Sequence, residues 1–321
     1  MFTVLVHLNG VTTEVDRVDP AWLLPEAREI FWVDIDEPEE VERRLLTDVF
    51  HFHELAVEDA LAEVHHPKVE PYGDMLYLIL HGIVAGKKNQ GFVTHDVDFF
   101  LGRNYLVTVR HEPSPSIEAE RSICARHSNV LAEGPVSVLH RIVDAIVDNY
   151  RPEADALENR LDGIEKTVFS EANRNPLRDI LSLKGDIASL RRVVLPQRDA
   201  IGRLARREFP QISEMMSYRF RDVYDHLVRL TDEATFLQDR VTGLIDAHLA
   251  TQSNRLNQVM KVLTVISTIF MPLTVLTGMF GMNVTLLEFP GGPTAQFWWI
   301  VGIMTLISAG MLWMFRRLEW L

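Results

Sequence analysis

The chain of 321 residues contains one cysteine, Cys124. A disulfide framework and a thiolate metal cluster are therefore excluded. Basic residues are in deficit, with 32 Lys and Arg against 45 Asp and Glu, for a net charge of −13. Nucleic acid is not expected as a partner, because binding phosphate needs basic patches. The opening stretch, MFTVLVHLNGVTTEVD, has no basic segment followed by an apolar core, so no cleavable signal is expected. P-loop, G-x-G-x-x-G and nucleophile-elbow patterns are all missing. A cluster of His51, His53, Glu54, Glu58, Asp59, His65 and His66 lacks the H-E-x-x-H spacing that puts two imidazoles on one helix face. It reads as surface histidines, and no enzyme is expected.

Charge is also absent from two long runs near the C-terminus, Val262–Phe280 and Phe297–Phe315. Each is about 19 residues, the length that crosses a hydrocarbon core as a helix. Two such runs make a transmembrane hairpin in a lipid bilayer. Arg255 and Lys261 precede the first run, and Arg316 and Arg317 follow the second. The connecting VTLLEFPGGPTAQ has no Lys or Arg and one acid, Glu288. The positive-inside rule places both termini in the cytoplasm and the loop outside.

The first run is not uniformly apolar. Asn257, Met260, Thr264, Ser267, Met271, Thr274 and Gly278 follow one another at alternating intervals of 3 and 4, so they share one helix stripe. Polar groups in a membrane face a partner helix or water. The stripe reads as a helix seam or as the lining of a pore, and a pore lining requires an oligomer. Carried back at the same spacing, it passes Ser253 and Ala250 to Asp246, one acid per subunit at the inner mouth. Its membrane part has no ionisable side chain, which argues against a proton relay. Mg²⁺ gives up its water reluctantly and prefers oxygen, so neutral acceptors suit the hydrated ion. Zn²⁺ prefers His or Cys, and neither lines the stripe. Met260, Leu263 and Met271 are candidates for apolar rings that gate by dewetting.

The run ends in Gly281-Met282-Asn283. MKVLTVISTIFMPLTVLTGMFGMN resembles the first membrane helix of the CorA-type divalent-cation transporters almost throughout, down to that tripeptide. ELAVEDALAEVHHPKVEPYGDMLYLIL and YRFRDVYDHLVRL also resemble parts of that family. The resemblance implies a homopentameric, funnel-shaped inner-membrane channel for Mg²⁺, and also Co²⁺ or Ni²⁺, with no resident cofactor. It implies a selectivity filter at Gly281, Met282 and Asn283, and a path along Thr274, Gly278, Thr264 and Asn257. It puts the gate at Met260, Leu263 and Met271, and matches Asp222 to a regulatory Mg²⁺ ligand. The loop after the signature departs from the common Met-Pro-Glu, reading Leu286-Leu287-Glu288-Phe289-Pro290. Where the family carries the second regulatory acid, the chain reads Ala85-Gly86-Lys87-Lys88, without one. Both departures lean towards the ZntB zinc-transporting branch of the superfamily. A membrane-anchored sensor or scaffold is the rival of another class.

The expected fold is an α+β cytoplasmic domain with a mixed sheet and flanking helices, then a helical stalk and the two membrane helices. Residues 1–115 hold the strands FTVLVHL, EIFWVDID, MLYLILHGIV, DVDFFLG and YLVTVRH, the last two joined at Gly102-Arg103-Asn104. VERRLLTDVF and ELAVEDALAEV between them have helical spacing. Residues 116–210 read as a charged helical hairpin, with one long stretch from Ser137 to Phe169 and breaks at Asn175-Pro176 and Pro210. From about Ser213 a single helix is expected to reach Phe280: stalk 211–261, first membrane span 262–283. The external loop at 284–296, second span at 297–315 and tail at 316–321 complete the chain. Val223, Leu227, Leu230, Ala234, Leu237, Val241 and Leu244 form the packing stripe of the stalk.

Overall fold

The structure, a computed structural model, describes residues 1–62, 66–86, 91–168, 176–282 and 292–320. The chain divides into two compact units, Met1–Leu244 and Ile245–Leu321.

The first unit is built on a seven-stranded sheet. Its strands are β1 (Phe2–Leu8), β2 (Val11–Val15), β3 (Ile30–Asp36), β4 (Lys68–Tyr72), β5 (Met75–Ala85), β6 (Phe92–Leu101) and β7 (Tyr105–Arg110). Their spatial order is β2-β1-β3-β7-β6-β5-β4. Only the central pair β3–β7 is parallel; the others are antiparallel. The sheet is thus mixed, as the alternating strands and helices predict. Two strands escape the sequence reading. β2 is a short edge strand with no fully buried residue, and β4 carries Pro71, which argues against a strand in any central position.

Side-chain alternation gives the sheet two apolar faces. One holds Val4, Phe31, Val33, Tyr77, Ile79, Phe100 and Val107. It is covered by a helical turn pair, α1 (Glu40–Arg44) running into a π-helical stretch Leu45–Val49, and by α2 (Glu54–Leu61). The other face packs against α3 (Pro115–Arg126), α4 (Ser128–Ala132) and α5 (Pro135–Asp148). Its polar ties are buried. Trp32 donates to Thr108, Thr108 donates to Asp34, and Arg110 pairs with Asp34 at 3.5 Å. Burial raises the Asp34 pKa, and the Arg110 guanidinium opposes that rise.

The expected single stretch from Ser137 is interrupted: α5 ends at Asp148 and α6 (Tyr150–Thr167) begins after Asn149. Pro152, in the first turn of α6, marks the joint: it has no N–H to donate to the Asp148 carbonyl, where α5 ends. α7 (Pro176–Ala205) runs through Pro196 and packs along α6. α8 is one helix from Glu214 to Phe280, 67 residues, close to the extent read from the sequence. At 1.5 Å per residue it is on the order of 100 Å long. Its predicted packing residues are buried to the last one: Val223, Leu227, Leu230, Ala234, Leu237, Val241 and Leu244. Arg240 on α8 reaches α6, 2.7 Å from Asp162 and 2.8 Å from Glu165. In the second unit, α9 spans Gly292–Arg317. α8 and α9 both contain windows long and apolar enough to cross a membrane, and those windows are almost wholly unburied within the chain.

Candidate functional site: the polar stripe of α8

Every predicted stripe residue of α8 is exposed: Asn257, Met260, Thr264, Ser267, Met271, Thr274 and Gly278. Exposure alone decides little, because Val262, Leu263, Ile266 and Phe270 are also exposed. The informative residues are those that lose exposure. From Val265 to Phe280 these are Val265, Thr268, Ile269, Pro272, Leu273, Leu276 and Phe280, with Val265 fully buried. At 100° per residue they centre on the side of the helix away from the stripe. The hairpin unit therefore spends its own packing on the apolar side and leaves the polar side uncovered.

The hydroxyls on and beside this stripe are oriented. Thr264 Oγ1 donates to the Met260 carbonyl at 2.8 Å, and Thr274 Oγ1 donates to the Phe270 carbonyl at 2.9 Å. Thr268 and Thr277 do the same to Thr264 and Thr274. Each hydroxyl has one proton, and it is used within the helix. What remains for any outside partner is a lone pair, so these oxygens present acceptors. Acceptors meet the protons of a cation's hydration water and repel a bare anion.

Gly281 continues the helical turn, its N–H donating to the Thr277 carbonyl at 2.9 Å. A Cβ there would lie 3.0 Å from that carbonyl oxygen, so the close turn favours glycine. Met282 N–H reaches the Met279 carbonyl, and Met282 is exposed. Asn283 and Glu288 lie outside the described residues. Asp246 is exposed and stands 18 residues, five full turns, before Thr264, hence on the same face. Leu263 is exposed one residue to the side of the stripe.

The first unit holds a second group that sequence reasoning missed. Asp144 and Asp148, one turn apart on α5, meet His226 of α8, with ligand atoms all within 4.8 Å of one another. Asp222, the predicted regulatory residue, is exposed one turn before His226. Burial raises the Asp144 pKa, and the charges of Asp148 and Asp222 raise it further, while His140 and His226 oppose them. Carboxylate oxygens and one imidazole form a donor set that can take Mg²⁺, Co²⁺ or Zn²⁺. The signal was present as D-x-x-x-D and D-x-x-x-H, but 78 residues separate Asp144 from Asp222. His51, His53 and His66 are exposed, His65 lies outside the described residues, and His53 caps α2 by accepting from Leu55 N–H. An open cleft of about 1170 Å³ near His51 and His53 includes none of the predicted site residues.

Residues 27–317 match the family described as CorA-like Mg²⁺ transporter protein. The chain belongs to that family. It is accordingly a divalent metal ion transporter of the CorA superfamily and a membrane protein, not an enzyme. It is 30% identical to YfjQ of Bacillus subtilis over 327 residues, covering 98% of each chain. It is 28% identical to the cobalt/magnesium transport protein CorA of Thermotoga maritima, over 85% of this chain and 78% of that one. The solved CorA magnesium transporter of Methanocaldococcus jannaschii superposes with a TM-score of 0.84 at 22% identity, covering 100% of this chain and 99% of the other. The CorA fold is therefore shared over the full length.

Proposed function

We propose that the chain forms a homopentameric channel in the inner membrane that admits hydrated Mg²⁺, and also Co²⁺ or Ni²⁺, along the α8 stripe. The observation that carries this reading is the stripe's orientation: it faces away from the hairpin's own packing, with its threonine hydroxyls turned to act as acceptors. One helix cannot enclose a pore, so several copies must bring their stripes together. In this reading Glu288 and Asn283 attract and hold the hydrated cation outside, and Gly281, Met282 and Asn283 form the filter. The membrane potential, negative inside, then drives the ion past Gly278, Thr274, Thr264 and Asn257 towards Asp246. Met260, Leu263 and Met271 close the path as apolar rings. Both termini lie in the cytoplasm, where Asp222 and the Asp144–Asp148–His226 group bind the internal cation and bias the gate.

Uptake by proteoliposomes under an inside-negative potential tests the reading. Mg²⁺ entry is expected in the wild type, with a loss of at least tenfold in Asn283→Ala. A zinc transporter is supported by the loop departure at Leu286-Leu287, and predicts Zn²⁺ flux that follows a proton gradient without Mg²⁺ flux. No flux of either ion, with Asn283→Ala fully functional in cells, would leave a membrane-anchored sensor instead.

A further inference from the structure

One buried acid belongs to none of the transport machinery. Asp98, on β6, is 3% exposed and sits in the face of the sheet that packs under α2. Its Oδ1 accepts from the Tyr77 hydroxyl at 2.5 Å, and Tyr77 is fully buried. An asparagine, of the same length, could also accept from Tyr77. A carboxyl adds only the option of gaining or losing a proton, and burying its charge is costly.

The surroundings connect that option to α2. Lys68 of β4 holds its ammonium 2.6 Å from Asp59 of α2 and 3.0 Å from Glu70. The same ammonium lies 5.7 Å from the centre of the Tyr77 ring, whose hydroxyl ends on Asp98. Lys68 thus stands between an outer acid on the helix and an inner acid beneath it. Besides this pair, α2 is held by three small buried residues, Ala56, Val57 and Ala60, and by His111, whose Nε2 lies 3.2 Å from the Ala60 carbonyl. Among the described residues, the other titratable groups on this side are His81 with its partner Asp96 at 3.2 Å, Tyr72, which donates to Glu70, Tyr105 beside Phe52, His53, which caps α2 and lies against Tyr72, and His111 at the Ala60 carbonyl of α2.

We propose that Asp98 is a proton-operated lock on α2: protonated, it leaves Lys68 on Asp59, and ionised, it draws Lys68 inward and loosens the helix. Burial foremost, then the charges of Asp96 and Asp59, push the Asp98 pKa up to about 8, against the pull of Tyr77 and Lys68. The lock therefore opens as pH rises through that value, within reach of cytoplasmic alkalinisation. No step of ion conduction is needed for this inference, so it stands or falls separately from the channel reading.

Hydrogen exchange on the full-length protein in detergent tests it, using protection factors corrected for intrinsic rates in peptides over residues 54–61. Wild-type protection of α2 is expected to fall about tenfold between pH 7 and pH 9, while β1 and β3 stay constant. Asp98→Asn should keep α2 protection within twofold across that range. Lys68→Met should lower α2 protection at both pH values and remove the pH step. An infrared carboxylic-acid band present at pH 7 in the wild type and lost in Asp98→Asn would identify the proton. Flat wild-type protection, or an undiminished fall in Asp98→Asn, would overturn the proposal. If Asp98→Asn fails to fold, the wild type and Lys68→Met alone decide: the same pH step in both overturns it.

Discussion

Removing one carboxylate from the Asp144–Asp148–His226 group should remove most of the metal-induced stabilisation and leave the metal-free protein at least as stable. The side chain to change is Asp148, by Asp148→Asn. It is two-thirds exposed, so its repulsion of Asp144 is screened by water. With the ligand atoms within 4.8 Å of one another, the Coulomb energy in a water-like dielectric is roughly 1 kcal/mol, and the variant should gain about that much without metal. Metal binding adds a larger effect to the wild type. At a hundredfold excess over Kd, linkage supplies about 2.7 kcal/mol. For a unit the size of Met1–Leu244 this corresponds to a Tm rise of about 5–10 °C. The assay is thermal unfolding of the full chain in detergent with Mg²⁺ or Co²⁺ titrated in. Potassium at matched ionic strength serves as control, since the chain carries a net charge of −13. The wild type should gain that rise in divalent cation over potassium, and Asp148→Asn should lose most of it. A variant that keeps the full divalent-specific rise would refute the assignment of these residues as ligands.

Three further outcomes follow from buried or bridging groups. His95 is buried with neither ring nitrogen bonded among the described residues, and burial holds its pKa down to about 4, below the ordinary 6.5. The unfolded chain takes up that proton first, so stability should fall as pH drops from about 6.5 to about 4, by up to ~3 kcal/mol; His95→Leu should flatten this limb in acid denaturation curves. A Cβ on Gly82 would lie 2.1 Å from His95 Nε2, so Gly82→Ala should destabilise by roughly 1–3 kcal/mol, and His95→Ala should largely rescue it in a double-mutant cycle. Arg240→Gln removes the tie from α8 to Asp162 and Glu165, which is partly exposed; a loss of about 1 kcal/mol, shrinking in high salt, is expected in denaturant unfolding.

Much of the architecture was legible because its signals are local and periodic. α8 was read nearly to its ends because two stripes at 3–4 spacing, Val223 to Leu244 and Asp246 to Gly278, follow one another with no pair of Pro or Gly to stop the helix. The exposed stripe was readable for the same reason. β4 was not, since Pro71 and the charges of Lys68 and Glu70 resemble a loop; pairing with β5 overrides that local preference. The joint at Asn149 did carry a signal, Pro152, whose missing N–H falls on Asp148, but a proline is also tolerated in the first turn of a helix and the amphipathic pattern continues across it. The Asp144–Asp148–His226 group depends on α5 meeting α8, a tertiary contact that no spacing within either helix encodes. Asp98 reads as part of an ordinary DVDFF strand, and only its burial beside Tyr77 makes it unusual.

The central claim is that the polar side of α8 lines a water-filled path shared by several copies. Cysteine scanning tests it directly, because Cys124 is the chain's one cysteine and is buried. Single cysteines at Asn257, Thr264, Ser267, Thr274 and Gly278 would be compared with cysteines at Val265, Ile269 and Leu273 on the packed side. A positively charged, membrane-impermeant thiol reagent is added to proteoliposomes during Mg²⁺ uptake. Modification at the stripe positions is predicted to block flux, and the packed positions are predicted to be silent. Equal block on both sides of the helix, or none at the stripe, would contradict the account.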